Sequence, residues 1–121
     1  MAKRILVVED NPDNMKLVTW ILEDEGYDIT SAFTGEDCID LANQQEFDLV
    51  LMDISLPGMD GKEATKQLRN TERYKNIPII ALTAHAIKGE DEEIMQSGVD
   101  ELITKPLDEE LLVARLADIL N

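Results

Sequence analysis

The stretch VLMDISLPGMDG, residues 50–61, decides how this chain is built. Leu49 to Met52 form an unbroken apolar run that ends on Asp53, and Pro57, Gly58 and Gly61 then turn the chain. A short apolar run without polar alternation is the pattern of a strand buried on both faces. A carboxylate at its end is costly to desolvate. Asp53 therefore belongs where strand gives way to loop, at a place where its charge is used.

Working outward, four more runs follow the same plan: ILVV (5–8), YDITSA (27–32), PIIAL (78–82) and ELIT (101–104). The segments between them have helical periodicity. The first opens on Asn11 and Pro12, a cap residue followed by a proline suited to the first turn. It carries Met15, Val18, Ile21 and Leu22 on one face and stops near Gly26. Thr34 and Asp37 stand in capping-box spacing at the start of the second, and Asp60 can cap the third.

The fourth segment, IKGEDEEIMQSG (87–98), is acidic at its start and has only Ile87, Ile94 and Met95 as large apolar anchors. It is expected to be the least firmly docked helix. The last opens at Asp108 and has Leu111, Leu112, Val113, Leu116, Ile119 and Leu120 to pack along its length. Trp20 is expected to pack from its helix face, Met52 and Met95 to fill the core, and Met59 to lie partly exposed in the loop after Asp53. Five strand–helix alternations predict right-handed crossovers and a doubly wound parallel sheet with helices on both faces. The expectation is one α/β domain over residues 1–121.

Composition narrows the function. With 26 acidic against 11 basic residues, the net charge of −15 argues against partners that present phosphate backbones or anionic membrane surfaces. A metal cation or a basic partner suits it better. The single cysteine, Cys38, makes no internal disulfide and sits among Ile39, Leu41 and Ala42, the setting of a core residue in a reducing compartment. No run of about 18 apolar residues is present, and MAKRILVVED lacks the features of a signal peptide. A soluble, cytoplasmic chain is expected.

In a sheet of this kind, ligands bind beyond the carboxyl ends of the strands. Those ends carry Glu9 and Asp10, Asp53, Thr83 and Lys105. Two carboxylates about 5 Å apart in an effective dielectric near 20 repel by roughly 3 kcal/mol. Three such pairs approach the whole stability of a small domain. Lys105 offsets part of this, and a divalent cation offsets more; all-oxygen ligands point to Mg²⁺ or Mn²⁺. An aspartate beside such a cation can be ligand, base or nucleophile, and carboxylates attack phosphoryl groups to give acyl phosphates. The transferred charge is then neutralised by cation, ammonium and hydroxyl. Asp53, central among the strand ends, is the candidate phosphoacceptor.

VVED (7–10), LMDISLPGMDG (51–61), ALTA (81–84) and TKP (104–106) together resemble the receiver domains of bacterial two-component response regulators, the CheY-like family. The four motifs occur in order and span essentially the whole chain. The resemblance implies strand order 2-1-3-4-5 and a phosphorylation-activated signalling switch rather than an enzyme. It implies that Asp53 accepts phosphate from a histidine kinase or phosphotransfer protein. Asp10, Asp53 and the backbone carbonyl of Ser55 would hold Mg²⁺, with Glu9 acting through water.

By the same resemblance, Thr83 would hydrogen-bond the phosphoryl group and Lys105 would pair with it. The Lys105–Pro106 peptide would be cis. A changed surface on the fourth helix, last strand and last helix would then alter affinity for a downstream effector. Family members often place an aromatic switch residue three positions before the lysine; here that position is Leu102, with less area and no hydroxyl. Ser55 and His85, two residues past Asp53 and Thr83, stand where acyl-phosphate hydrolysis is modulated, although a lone loop histidine is ordinarily exposed polar surface.

Three rival readings fit less well. A haloacid-dehalogenase phosphatase needs a second aspartate two positions after the nucleophile, where this chain has Ser55, and a cap insertion. A flavodoxin-like carrier needs a phosphate cradle where this chain has the acidic EDNPDN (9–14). A binding domain that no longer takes phosphate would not need all five key residues.

Overall fold

A computed structural model of the chain describes residues 2–84 and 90–120. Strands β1 (Arg4–Val8), β2 (Asp28–Ala32), β3 (Leu49–Asp53), β4 (Ile79–Thr83) and β5 (Glu101–Thr104) alternate with helices α1 (Pro12–Asp24), α2 (Gly35–Gln44), α3 (Gly61–Arg69), α4 (Glu90–Gln96) and α5 (Glu109–Leu120). All four strand pairings are parallel, in the order β2-β1-β3-β4-β5. β3 and β4 are buried at every position, as continuous apolar runs covered on both faces require.

Side chains two apart on a strand share a face, so each strand feeds two cores. Ile5, Val7, Leu49, Leu51, Ile80, Leu82 and Ile103 meet Met15, Val18, Ile21 and Leu22 of α1 and Leu112 and Leu116 of α5. On the other face, Leu6, Val8, Val50, Met52, Ile79 and Ala81 meet Cys38 and Ala42 of α2, Ala64 and Leu68 of α3 and Ile94 of α4. Truncating one of these large side chains to alanine costs about 2–5 kcal/mol.

The helix starts follow the expected chemistry. Asn11 Oδ1 accepts from the amides of Asp13 and Asn14, with Pro12 in the first turn of α1. Thr34 Oγ1 accepts from Asp37 N–H and Asp60 Oδ1 from Glu63 N–H. Asp108 Oδ1 accepts from Leu111 N–H at the start of α5.

Three packing expectations fail. Trp20 is 68% exposed and Met95 is 44% exposed. Helical phase explains both. Trp20 lies one step, about 100°, before the buried Ile21, and Met95 one step after the buried Ile94, so each turns out of its helix's apolar stripe. Leu111 is 47% exposed beside the buried Leu112 for the same reason.

The far end of α4 is tied down by Arg69, at the end of α3. Its guanidinium donates to the carbonyls of Gly98 (2.8 Å), Tyr74 (2.8 Å) and Ile77 (2.6 Å) and to Asp100 Oδ2 (2.9 Å). Asp100 Oδ2 also accepts from Ile79 N–H at 2.9 Å. Among the described residues, no helix is long and apolar enough to cross a membrane.

Candidate functional site

β1 and β3 are neighbours, with Val8 opposite Met52, so Glu9 and Asp53 leave the sheet side by side. This is the crevice flanked by the switch in strand order. Thr83 ends β4, whose Leu82 is opposite Asp53, and Lys105 follows Thr104, the residue opposite Thr83. Parallel register thus brings all the strand-end residues to one rim. Backbone bonds continue the ladders past the strand ends: Glu9 N–H donates to Ala32 O, Ile54 N–H to Leu82 O, and Lys105 N–H to Thr83 O.

Glu9 and Asp53 are only 1% and 3% exposed, whereas Asp10 is exposed. The three carboxylates each place an oxygen within 4.8 Å of the others. Lys105 Nζ lies 2.8 Å from Glu9 Oε1 and 3.2 Å from Asp53 Oδ2. Burial pushes the Glu9 carboxyl above its ordinary range; the neighbouring Asp53 adds to this, and Lys105 opposes it. Burial alone would lower the ammonium of Lys105. Its contacts with Glu9 and Asp53 outweigh that and raise it.

These residues fit a divalent cation. The donor set is all oxygen, hard and anionic. One of its acids opens to solvent, and two buried acids lean on a single ammonium. One ammonium faces three carboxylates, which leaves excess negative charge for a cation to balance.

The loop after β3 shapes the other side. Ser55 N–H donates to Asp53 Oδ1 at 3.1 Å, orienting that carboxylate. Gly61 closes the loop against the strand, and a Cβ there would lie 2.4 Å from the backbone oxygen of Asp53. The Lys105–Pro106 peptide is cis. Leu102 is half-buried and packs on the core beneath α2, α3 and α4. His85 lies outside the described residues.

Two features beside this rim carried no signal in the sequence. Glu36, in the first turn of α2, accepts from the Met59 amide at 3.2 Å. Exposed Leu17 on α1 lines a groove of about 410 Å³ with Asn14, Ala84, Lys105, Pro106 and Leu107. A first-turn acid and a surface leucine look alike whether or not they have a distant neighbour.

Comparison with known proteins agrees with this geometry. The response regulator receiver domain family matches residues 5–117. The sensor protein GacS of Pseudomonas syringae pv. syringae is 45% identical over 114 residues, covering 92% of this chain but 13% of GacS. The polar-differentiation response regulator DivK of Brucella ovis is 44% identical over 107 residues, 88% of this chain and 87% of DivK.

Among solved structures, the receiver domain of the sensor histidine kinase PA1611 from Pseudomonas aeruginosa PAO1 superposes with a TM-score of 0.93. It is 36% identical, with all of both chains covered, and holds a magnesium ion coordinated in its active-site cleft. The chemotaxis response regulator CheY4 of Vibrio cholerae also gives a TM-score of 0.93, at 28% identity over 98% of this chain and 99% of that one.

Proposed function

This chain belongs to the response regulator receiver domain family, and from that membership we propose that Asp53 is the residue through which it is switched. Receiver domains are phosphorylation-regulated switches of two-component signalling that take phosphate from histidine kinases; they are signalling proteins rather than true enzymes. An Asp53 carboxylate oxygen attacks the phosphorus of a phosphohistidine, the P–N bond breaks, and the imidazole leaves with the bonding pair. The observation that carries this reading is the Lys105 ammonium, shared between Glu9 at 2.8 Å and Asp53 at 3.2 Å inside a cluster of three carboxylates.

Each neighbour has a role in that transfer. Asp10, Asp53 and the Ser55 carbonyl would hold Mg²⁺ (or Mn²⁺), with Glu9 reaching it through water. When bound, the cation supplies positive charge against the phosphoryl oxygens. Lys105 turns from the acids to pair with the new phosphoryl group, and the Thr83 hydroxyl donates to it. Ser55 and His85, two residues past Asp53 and Thr83 in the sequence, modulate the slow hydrolysis of the acyl phosphate by water. The groove lined by Leu17, Pro106 and Leu107 borders Lys105 and gives a donor protein an apolar footing beside the reacting group. A cytoplasmic setting goes with such a donor.

The switch follows from added charge. Phosphorylation brings negative charge and three acceptor oxygens, which draw Thr83 and the chain after it and repack α4. The surface of α4, β5 and α5 then changes its affinity for an effector protein, with Leu102 as the side chain that changes rotamer. Residues 1–121 act as one receiver unit. Incubation with a small phosphodonor and Mg²⁺ tests the core of this. One phosphoryl group of added mass, lost in Asp53→Ala, is expected; mass gain retained in that variant would move the acceptor elsewhere.

A further inference from the structure

The loop from β3 to α3 places Ser55 two residues after Asp53, yet its own backbone bonds lie at its base. Leu56 N–H donates to Ile54 O at 3.0 Å, and Gly61 N–H donates to the same oxygen at 3.1 Å. The tip is held from outside, by α2. Met59 N–H donates to Glu36 Oε1 at 3.2 Å. Glu36 stands in the first helical turn, where the helix dipole favours a carboxylate.

The two backbones nearly touch there, since a Cβ on Gly35 would lie 2.6 Å from Met59 O. A side chain at position 35 would push α2 away and take Glu36 out of reach. The half-buried Met59 packs on the same core as Cys38 and Ala64 of α2 and α3. The cap of α2 does not need Glu36, because Thr34 Oγ1 already accepts from Asp37 N–H at 3.0 Å.

Resting on the reading of Asp53 as phosphoacceptor, we propose that Glu36 is a positioning residue for the phosphorylation site. By holding Met59 it fixes the loop, keeping the Ser55 amide on Asp53 Oδ1 and the Ser55 carbonyl where a cation is held. Glu36 contacts neither phosphoryl group nor metal. It acts through Met59 and the loop, from a helix that supplies no other residue to the site.

The test compares wild type, Glu36→Ala and Glu36→Gln. Four quantities are measured: amide exchange at Met59, Mg²⁺ affinity by calorimetry, phosphorylation rate with acetyl phosphate below saturating Mg²⁺, and thermal midpoint. In Glu36→Ala the Met59 amide exchanges faster, and Mg²⁺ affinity and rate fall about three- to tenfold, the worth of one hydrogen bond. The midpoint falls by no more than about 5 °C, the shift that one such bond gives in a domain of this size. Glu36→Gln keeps an acceptor oxygen and recovers at least half of the loss on a logarithmic scale.

Unchanged exchange and Mg²⁺ affinity in Glu36→Ala would overturn the proposal. So would equal losses in the two variants, which would trace the effect to charge rather than to the bond. If wild type takes no phosphoryl group, the Asp53 assignment fails instead, and the exchange comparison still decides whether Glu36 holds Met59.

Discussion

The ammonium of Lys105 lies 2.8 Å from a carboxylate oxygen of Glu9, a residue 96 positions away in the chain. Both are largely withdrawn from water, and Asp53 shares the same ammonium at 3.2 Å. On the reading of Asp53 as phosphoacceptor proposed above, the ammonium that would neutralise the transferred charge is already held by the acids. Transfer would then exchange one set of anions for another, without carrying a bare ammonium through a dry site.

Removing the Glu9 charge should move stability and metal affinity in opposite directions. The folded-state pKa of Glu9 is raised by burial, then by Asp53, against the pull of Lys105. Its contribution is therefore most favourable below its ordinary value of 4.5 and declines as pH rises from there through the folded value. Glu9→Gln abolishes that decline. Urea unfolding in a chelator between pH 4 and 7 should show a smaller loss of stability than wild type, while Mg²⁺ affinity falls about tenfold or more.

Cys38 has a fully buried thiol, and burial raises its pKa from 9.0 to about 12. A thiol reagent at pH 8 should label native protein at least about a hundredfold more slowly than urea-unfolded protein. The thiol stays protonated in the fold while the unfolded chain ionises. The stability it contributes is thus complete below pH 9.0 and is lost between there and about pH 12. Cys38→Ala should lose stability less steeply over that interval.

Leu17 and Trp20, 46% and 68% exposed, lie three residues apart on α1. Leu17→Asp and Trp20→Asp should each change unfolding free energy by no more than about 0.5 kcal/mol. Transfer from a phosphohistidine protein should nonetheless slow by about fivefold or more in the double variant, as expected for loss of apolar anchors. Transfer from acetyl phosphate should be unchanged. Equal rates with both donors relative to wild type would remove this face from donor docking.

Gly61→Ala forces a methyl group into a space where Cβ would lie 2.4 Å from the Asp53 carbonyl oxygen. The strain should cost about 1–3 kcal/mol, read from urea unfolding. Because the same shift displaces Ser55 from Asp53, phosphorylation by acetyl phosphate should slow together with the loss of stability.

Much of the architecture could be read from local pattern. The runs at 49–52 and 101–104 are β3 and β5 to within a residue, and Asn11, Thr34 and Asp60 cap the helices that their spacing suggested. The gathering of Glu9, Asp10, Asp53, Thr83 and Lys105 on one rim follows from parallel register, which a sequence expresses through its strand ends. Packing was less legible. Trp20 and Met95 are apolar, but a 100° step beside a buried neighbour decides their exposure, and the burial arc cannot be fixed from a short helix alone. Contacts between distant segments, such as Glu36 with Met59 or Arg69 with Gly98, leave no periodic trace.

The fan of bonds from Arg69 to Gly98, Asp100, Tyr74 and Ile77 moors the trailing end of α4 at the end of the strands opposite Asp53. Ile94, buried in the middle of α4, and the Lys62–Glu93 pair at 3.3 Å hold the rest of the helix against the sheet and α3. If the face of α4, β5 and α5 is the output surface, as proposed above, this mooring makes it swing like a lever about its trailing end rather than detach.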